Sequence, residues 1–116
     1  LSQERINAYA NASGDHNPIH LEQAAASAAG LPSTIAHGLL TLGVACALVE
    51  RWAGEGAFVE RISCRFSAPV RAGEELHCHA RVIEVEDGWS RLELDALTER
   101  GERALSKTVL HLRRRP

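Results

Sequence analysis

The stretch Leu39 to Trp52 constrains this chain more than any other feature. Leu39, Leu40, Leu42, Val44, Ala45, Ala47, Leu48 and Val49 put apolar side chains on nearly every face of a helix. That is the pattern of a helix enclosed by other structure, not of one lying on a surface. From Gly56 onward the apolar period changes to two, in four segments: Ala57 to Val70, Leu76 to Glu86, Trp89 to Glu99 and Arg103 to Leu112. These read as strands. Asp87-Gly88 is a two-residue hairpin signal, Arg100-Gly101 marks another turn, and Ala72-Gly73 separates the first pair, so an antiparallel meander is expected. The apolar positions Leu76, Cys78, Ala80 and Val82 then switch parity to Ile83 and Val85, which predicts a bulge near Val82 and Ile83. Helices first, strands afterwards, and one apolar helix for the sheet to wrap around together predict an α+β domain.

Ahead of the apolar helix, Ser2 is a plausible N-cap with Glu4 in the first turn, and a helix is expected from Gln3 to Ala12. Gly14 offers the left-handed conformation that closes it. Asp15 to His20 is then a loop, with Pro18 holding Asn17 extended. Glu22 to Ala29 reads as a short alanine-rich helix stopped by Gly30 and Pro32.

Composition bounds the function classes. At 116 residues, residues 1–116 form a single domain by the usual length prior, and a second copy could complete its core. A formal net charge of −2 gives no electrostatic reason to expect nucleic acid. No run approaches the roughly 20 apolar residues of a membrane span, and the first residues lack a secretory pattern. Cys46, Cys64 and Cys78 are odd in number and widely spaced, so neither a disulfide framework nor a zinc knuckle is suggested, and a cytoplasmic location is expected.

Two clusters carry the chemistry. Ser13 to His20 reads Ser-Gly-Asp-His-Asn-Pro-Ile-His, placing a carboxylate and an imidazole five residues apart on a loop stiffened by proline. A carboxylate beside a histidine suits water activation, one group taking a proton while the other orients the water. Asp15 as a turn cap and His20 as a packing residue is an equally open reading of the spacing alone. The second cluster, Ile35-Ala36-His37-Gly38-Leu39-Leu40-Thr41, stands where a loop runs into the apolar helix. A helix start offers free N–H groups and a positive dipole end, and the Gly38 amide suits a developing enolate oxygen. A simple tight turn explains the same glycine.

Together the clusters are recognisable. Tyr-Ala-x-x-Ser-Gly-Asp-x-Asn-Pro-Ile-His-Leu-Glu from Tyr9, then Ala24, Ala28 and Gly30, then Ile-Ala-His-Gly-Leu-Leu-Thr to Thr41, resembles the MaoC-like family of hot-dog hydratases and dehydratases, which includes the R-specific enoyl-CoA hydratases. Phe66 to Glu75 looks like that family's strand and turn ahead of the next strand. The resemblance implies a hot-dog fold, a homodimer with active sites near the interface, and reversible syn hydration of a trans-2-enoyl thioester to an (R)-3-hydroxyacyl thioester. Coenzyme A or acyl carrier protein would enter as the substrate's carrier, with no cofactor and no metal. It implies Asp15 and His20 as the pair holding the catalytic water and Gly38 as the oxyanion donor. Asn17 orders the loop and, with His37, is assigned to substrate binding. Asp15 is the choice for the base and His20 for orienting the water.

The chain departs from some members, which carry a serine in the central helix where Cys46 stands here; Cys46 is read as core and left out of the site. The family also places a strand before its first helix. His77 and His79 share a strand face without an evident third ligand, so a solvated face is expected. His16 reads as an exposed loop residue, Trp52 and Trp89 as core or interface, and Arg113 to Arg115 as a solvated tail. Two other functions fit the same fold: an acyl-thioesterase, and an acyl-binding subunit without turnover. The Asp15 to His20 loop favours hydration.

Overall fold

The computed structural model describes residues 1–115. Its elements follow the expected order: α1 (Gln3–Ser13), a 3-10 turn (Pro18–His20), α2 (Gln23–Ala28), α3 (Gly38–Ala53), then β1 (Ala57–Phe66), β2 (Leu76–Glu86), β3 (Trp89–Thr98) and β4 (Arg103–Arg114). Ser2 caps α1 through its hydroxyl, which accepts from the Arg5 N–H, and Gly14 closes the helix at φ 81°. The four strands form one antiparallel sheet in the order β1-β4-β3-β2. The expected bulge is present as a register shift between Val82 and Glu84.

Strand order corrects the simple meander. β2, β3 and β4 do run in sequence, but β1 pairs with β4 and not with β2. The turn signal at Ala72-Gly73 marks a crossing segment instead of a hairpin. After β1 ends at Phe66, short of the expected Val70, Ser67 and Ala68 still donate to the Ala104 and Arg103 carbonyls. The chain then pairs with the loop before α3: Ala36 N–H donates to Val70 O (2.8 Å) and Ala72 N–H to Thr34 O (2.9 Å). That detour crosses the end of the sheet and delivers β2 to the far edge.

α3 packs Leu42, Ala45, Cys46 and Val49 onto Leu92, Leu94, Ala96, Leu105, Leu110 and Leu112 of the two central strands. A second core of Ile6, Ala36, Val70 and Ala104 fastens α1 to the crossing segment. Enclosure of α3 is one-sided within this chain, a correction to the all-round burial expected: Leu39 is 63% exposed and Trp52 68%. Trp89 is half-buried and stacks on His111, and His77 and His79 face solvent. All three cysteines are free, and burial pushes each thiol's pKa up. No helix among the described residues is long and apolar enough to cross a membrane.

One ion pair locks the crossing segment. Glu74 accepts from the Arg71 N–H (2.8 Å) and from the Arg100 guanidinium (3.1 Å), while the Leu1 nitrogen donates to its carbonyl. Burial alone would push the Glu74 carboxyl up, but the Arg100 and Arg71 contacts together hold it below the usual carboxylate range.

Candidate active site

The 3-10 turn places His20 under the loop before α3. Pro18 begins this turn, and the Asn17 side-chain oxygen caps it by accepting from the Ile19 N–H (3.2 Å). His20 is buried, and its Nδ1–H donates to the Ile35 carbonyl (2.8 Å). A carbonyl only accepts, so Nδ1 carries the proton and Nε2 is left with its lone pair available. Two further bonds brace the turn: Ile35 N–H donates to Ile19 O (3.3 Å), and Gln3 Nε2 donates to His20 O (2.8 Å).

Asp15 lies exposed on the loop between α1 and the turn, and its Oδ1 accepts from the Asn17 N–H (3.2 Å). A ligating atom from each of Asp15, His20 and His37 lies within 4.8 Å of the others. The spacing invites a metal reading, but the ring geometry opposes it. The His20 and His37 rings stack at 3.8 Å with planes only 24° apart. Imidazole lone pairs lie in the ring plane, so no point about 2.0–2.1 Å from both nitrogens lies in both planes. The cluster is organised as a carboxylate beside one braced imidazole.

A cleft of about 240 Å³ opens next to this cluster, lined by His20, Ile35, Gly38, Thr41, Phe66 and Val70 among others. Gly38 is the first residue of α3, so its N–H is among those the helix leaves without an internal partner. His20 and the helix start therefore share one cavity, one offering a lone pair and the other a donor with the positive end of the dipole behind it. The structure brings together Asp15, His20 and His37, and sets Gly38 beside His20. Of the expected site residues, His20 and Gly38 line the cleft, whereas Asp15, Asn17 and His37 do not. Asn17 is exposed and caps the turn through its Oδ1. His37 is only 2% exposed, packed on His20 and Tyr9, with Nε2 on the Asp15 carbonyl at 2.9 Å. Cys46 sits in the main core, away from the cleft.

Sequence reasoning missed the supporting residues Gln3, Thr41 and Phe66. Thr41 and Phe66 stood inside the recognised stretches without an assigned role. Gln3 carried no signal, because its bonds to His20 and Thr34 span 17 and 31 residues.

Comparison with known proteins gives the chain a family and a fold. Residues 1–99 match the family described as MaoC like domain. The chain is 33% identical over 96 residues to 3-hydroxyacyl-thioester dehydratase Z of Mycobacterium tuberculosis, covering 75% of this chain and 61% of that protein. It is 35% identical over 86 residues to 3-hydroxybutyryl-CoA dehydratase of Methylorubrum extorquens, covering 73% of this chain and 55% of the relative. The chain thus spans a little over half the length of these curated relatives. Among solved structures it superposes on the (R)-hydratase from A. caviae involved in PHA biosynthesis with a TM-score of 0.89 at 25% identity, over 99% of this chain and 89% of that one. The fold is the hot-dog fold, and the chain belongs to the MaoC-like domain family.

Proposed function

We propose that this chain catalyses reversible syn hydration of a trans-2-enoyl thioester, carried by coenzyme A or acyl carrier protein, to the (R)-3-hydroxyacyl thioester. The observation that carries the reading is His20: its Nδ1–H is committed to Ile35 O, which leaves Nε2 as an acceptor, and the residue lines the cavity that contains the Gly38 end of α3. The carboxylate of Asp15 and Nε2 of His20 each accept one O–H of a water, so its oxygen lone pair is directed at the β-carbon. Asp15 takes the proton as the C–O bond forms, and the electron pair of the C=C bond moves onto the thioester oxygen. The Gly38 N–H stabilises that enolate, a role in which one donor contributes about 2.7–4 kcal/mol. The proton held by Asp15 then passes to the α-carbon, which completes the addition and restores the carboxylate. This chemistry asks for no cofactor and no metal.

Homodimer formation and a reducing, cytoplasmic setting belong to the same proposal. The radius of gyration, 15.3 Å, exceeds the roughly 13 Å of a compact domain this size. Leu39, Trp52, Phe66 and Val85 are at least half exposed, apolar surface that a second copy would cover. The free thiols suit a reducing compartment.

The test follows enoyl-thioester absorbance with crotonyl-CoA and a longer enoyl-CoA, alongside free thiol release, for wild type, Asp15→Asn and His20→Ala. Absorbance should fall without thiol release, and both folded variants should lose it. Thiol release would transfer the reading to thioester hydrolysis, and silence in both channels would favour an acyl-binding subunit.

A further inference from the structure

The loop that carries Asp15 is held in place by one long-range hydrogen bond. From Ser13 to Asn17 the other bonds are local: Asp15 N–H donates to Ser13 Oγ, Asn17 N–H to Asp15 Oδ1, and His16 reaches only Gly14 and Asn11. Among the described residues, the exception is the Asp15 carbonyl, which accepts from Nε2–H of His37, 22 positions away, at 2.9 Å. His20 is braced separately, through Ile35 and Gln3.

His37 is well placed to transmit position. Its own carbonyl accepts from the Thr41 N–H as the N-cap of α3, so its backbone is part of the helix start. The next residue is Gly38. The His37 ring packs on His20 at 3.8 Å and on Tyr9 at 4.8 Å between centroids, which leaves the imidazole little freedom to swing. The remaining nitrogen, Nδ1, is buried without a partner. A buried acceptor left unsatisfied costs stability, so packing and stability alone do not explain a histidine here. The Nε2 bond to Asp15 is the contact an apolar ring would lack.

We propose that His37 is a positioning residue: it ties the Asp15 peptide to the first turn of α3, setting the distance between the carboxylate and the Gly38 amide. It touches no substrate and transfers no proton. The inference rests on the hydration reading above. Releasing the bond lets Asp15 drift while His20 and Gly38 stay put. A misplacement of about 1 Å costs on the order of 10²-fold in rate, and the loss falls on kcat because the substrate contacts are unchanged.

The experiment is a double-mutant cycle read by hydration of crotonyl-CoA, with thermal melts of every variant. His37→Phe keeps a ring between His20 and Tyr9 but removes the donor, and should lower kcat about 10- to 100-fold with KM within about threefold. His37→Gln places an amide N–H near the position of Nε2 and should recover much of the rate, whereas His37→Asn is one methylene short and should not. On the residual hydration rate of Asp15→Asn, followed at high enzyme concentration, His37→Phe should cost less than about threefold more, because the two act through one group. Wild-type kcat in folded His37→Phe, or equal loss in the Gln and Asn variants, overturns the proposal. So does full additivity with Asp15→Asn. If His37→Phe does not fold, the Gln against Asn comparison decides. Full activity in Asp15→Asn itself would overturn the hydration assignment, and this inference with it.

Discussion

Replacing Gly38 with alanine separates what the fold needs from what the proposed chemistry needs. An added Cβ would stand 3.0 Å from Phe66 Cδ1, 3.2 Å from Cε1 and 3.4 Å from Cγ. Relaxed carbon contacts lie near 3.5–4.0 Å, so the ring must retreat by roughly half an ångström. It can, because Phe66 is the last residue of β1 and half exposed. A small rotamer adjustment costs about 0.5–1.5 kcal/mol, and alanine over glycine in a helix returns up to about 1 kcal/mol, less in the first turn. Thermal stability should therefore change by no more than about 1.5 kcal/mol. Activity should not be spared. Gly38 and Phe66 both line the cleft, so the methyl group occupies the space a thioester carbonyl would use to come within 2.7–3.1 Å of the amide. Losing that contact predicts a fall in kcat of about 10²–10³. The assay pairs a thermal melt with hydration of crotonyl-CoA. Gly43→Ala serves as the control, since a Cβ there meets nothing within 4 Å in this chain. A folded Gly38→Ala that keeps its rate within threefold would refute the approach of substrate to this amide, and a large loss of Tm would refute the view that Phe66 yields.

Two stability predictions come from elsewhere in the chain. Glu74 has a depressed pKa in the folded state, so its contribution is fully present above its unfolded value of about 4.3 and is lost as pH falls through the lower folded value. Glu74→Gln should therefore melt lower than wild type at pH 7, and the gap should narrow steadily in melts taken from pH 5 down to pH 3; a constant gap would show that the carboxylate's charge does not matter. Lys107 adopts φ 48° in β4, where the register shifts on both sides of the strand. Despite its strand propensity, Lys107→Val should destabilise by about 1 kcal/mol, because a β-branched side chain is strained at positive φ. Lys107→Asn should be within about 0.5 kcal/mol of wild type in urea unfolding, since asparagine tolerates this region.

Most elements were legible because their signals are local. The Ser2 cap, the Gly14 stop, the Asp87-Gly88 hairpin and the Val82 bulge each follow from a few neighbouring residues, and each is present. Strand order was not legible, because a turn at Ala72-Gly73 says only that the chain bends. What decides the partner of β1 is the pairing of residues 70–72 with residues 34–36, which has no periodic signature. The bulge at Lys107 was also missed, as was the register shift between Val59 and Arg61. Leu105, Thr108, Leu110 and Leu112 share the buried side across a slip in parity, and a polar threonine does not announce a core position.

The candidate site divides along the same line, which explains how two short clusters come together. Asp15 and His20 were readable together because one turn carries both, and Gly38 was readable alone as a helix start. Their mutual placement depends on bonds between segments: Ile35 holds His20, Val70 holds Ala36, and His37 holds Asp15. The same crossing segment that sends β2 to the far edge fixes the loop before α3. It thereby brings the helix dipole of α3 to the carboxylate–imidazole pair. Strand order and the geometry of the candidate site are thus one structural decision: a chain that turned directly from β1 into β2 would keep every motif and lose the cleft between them.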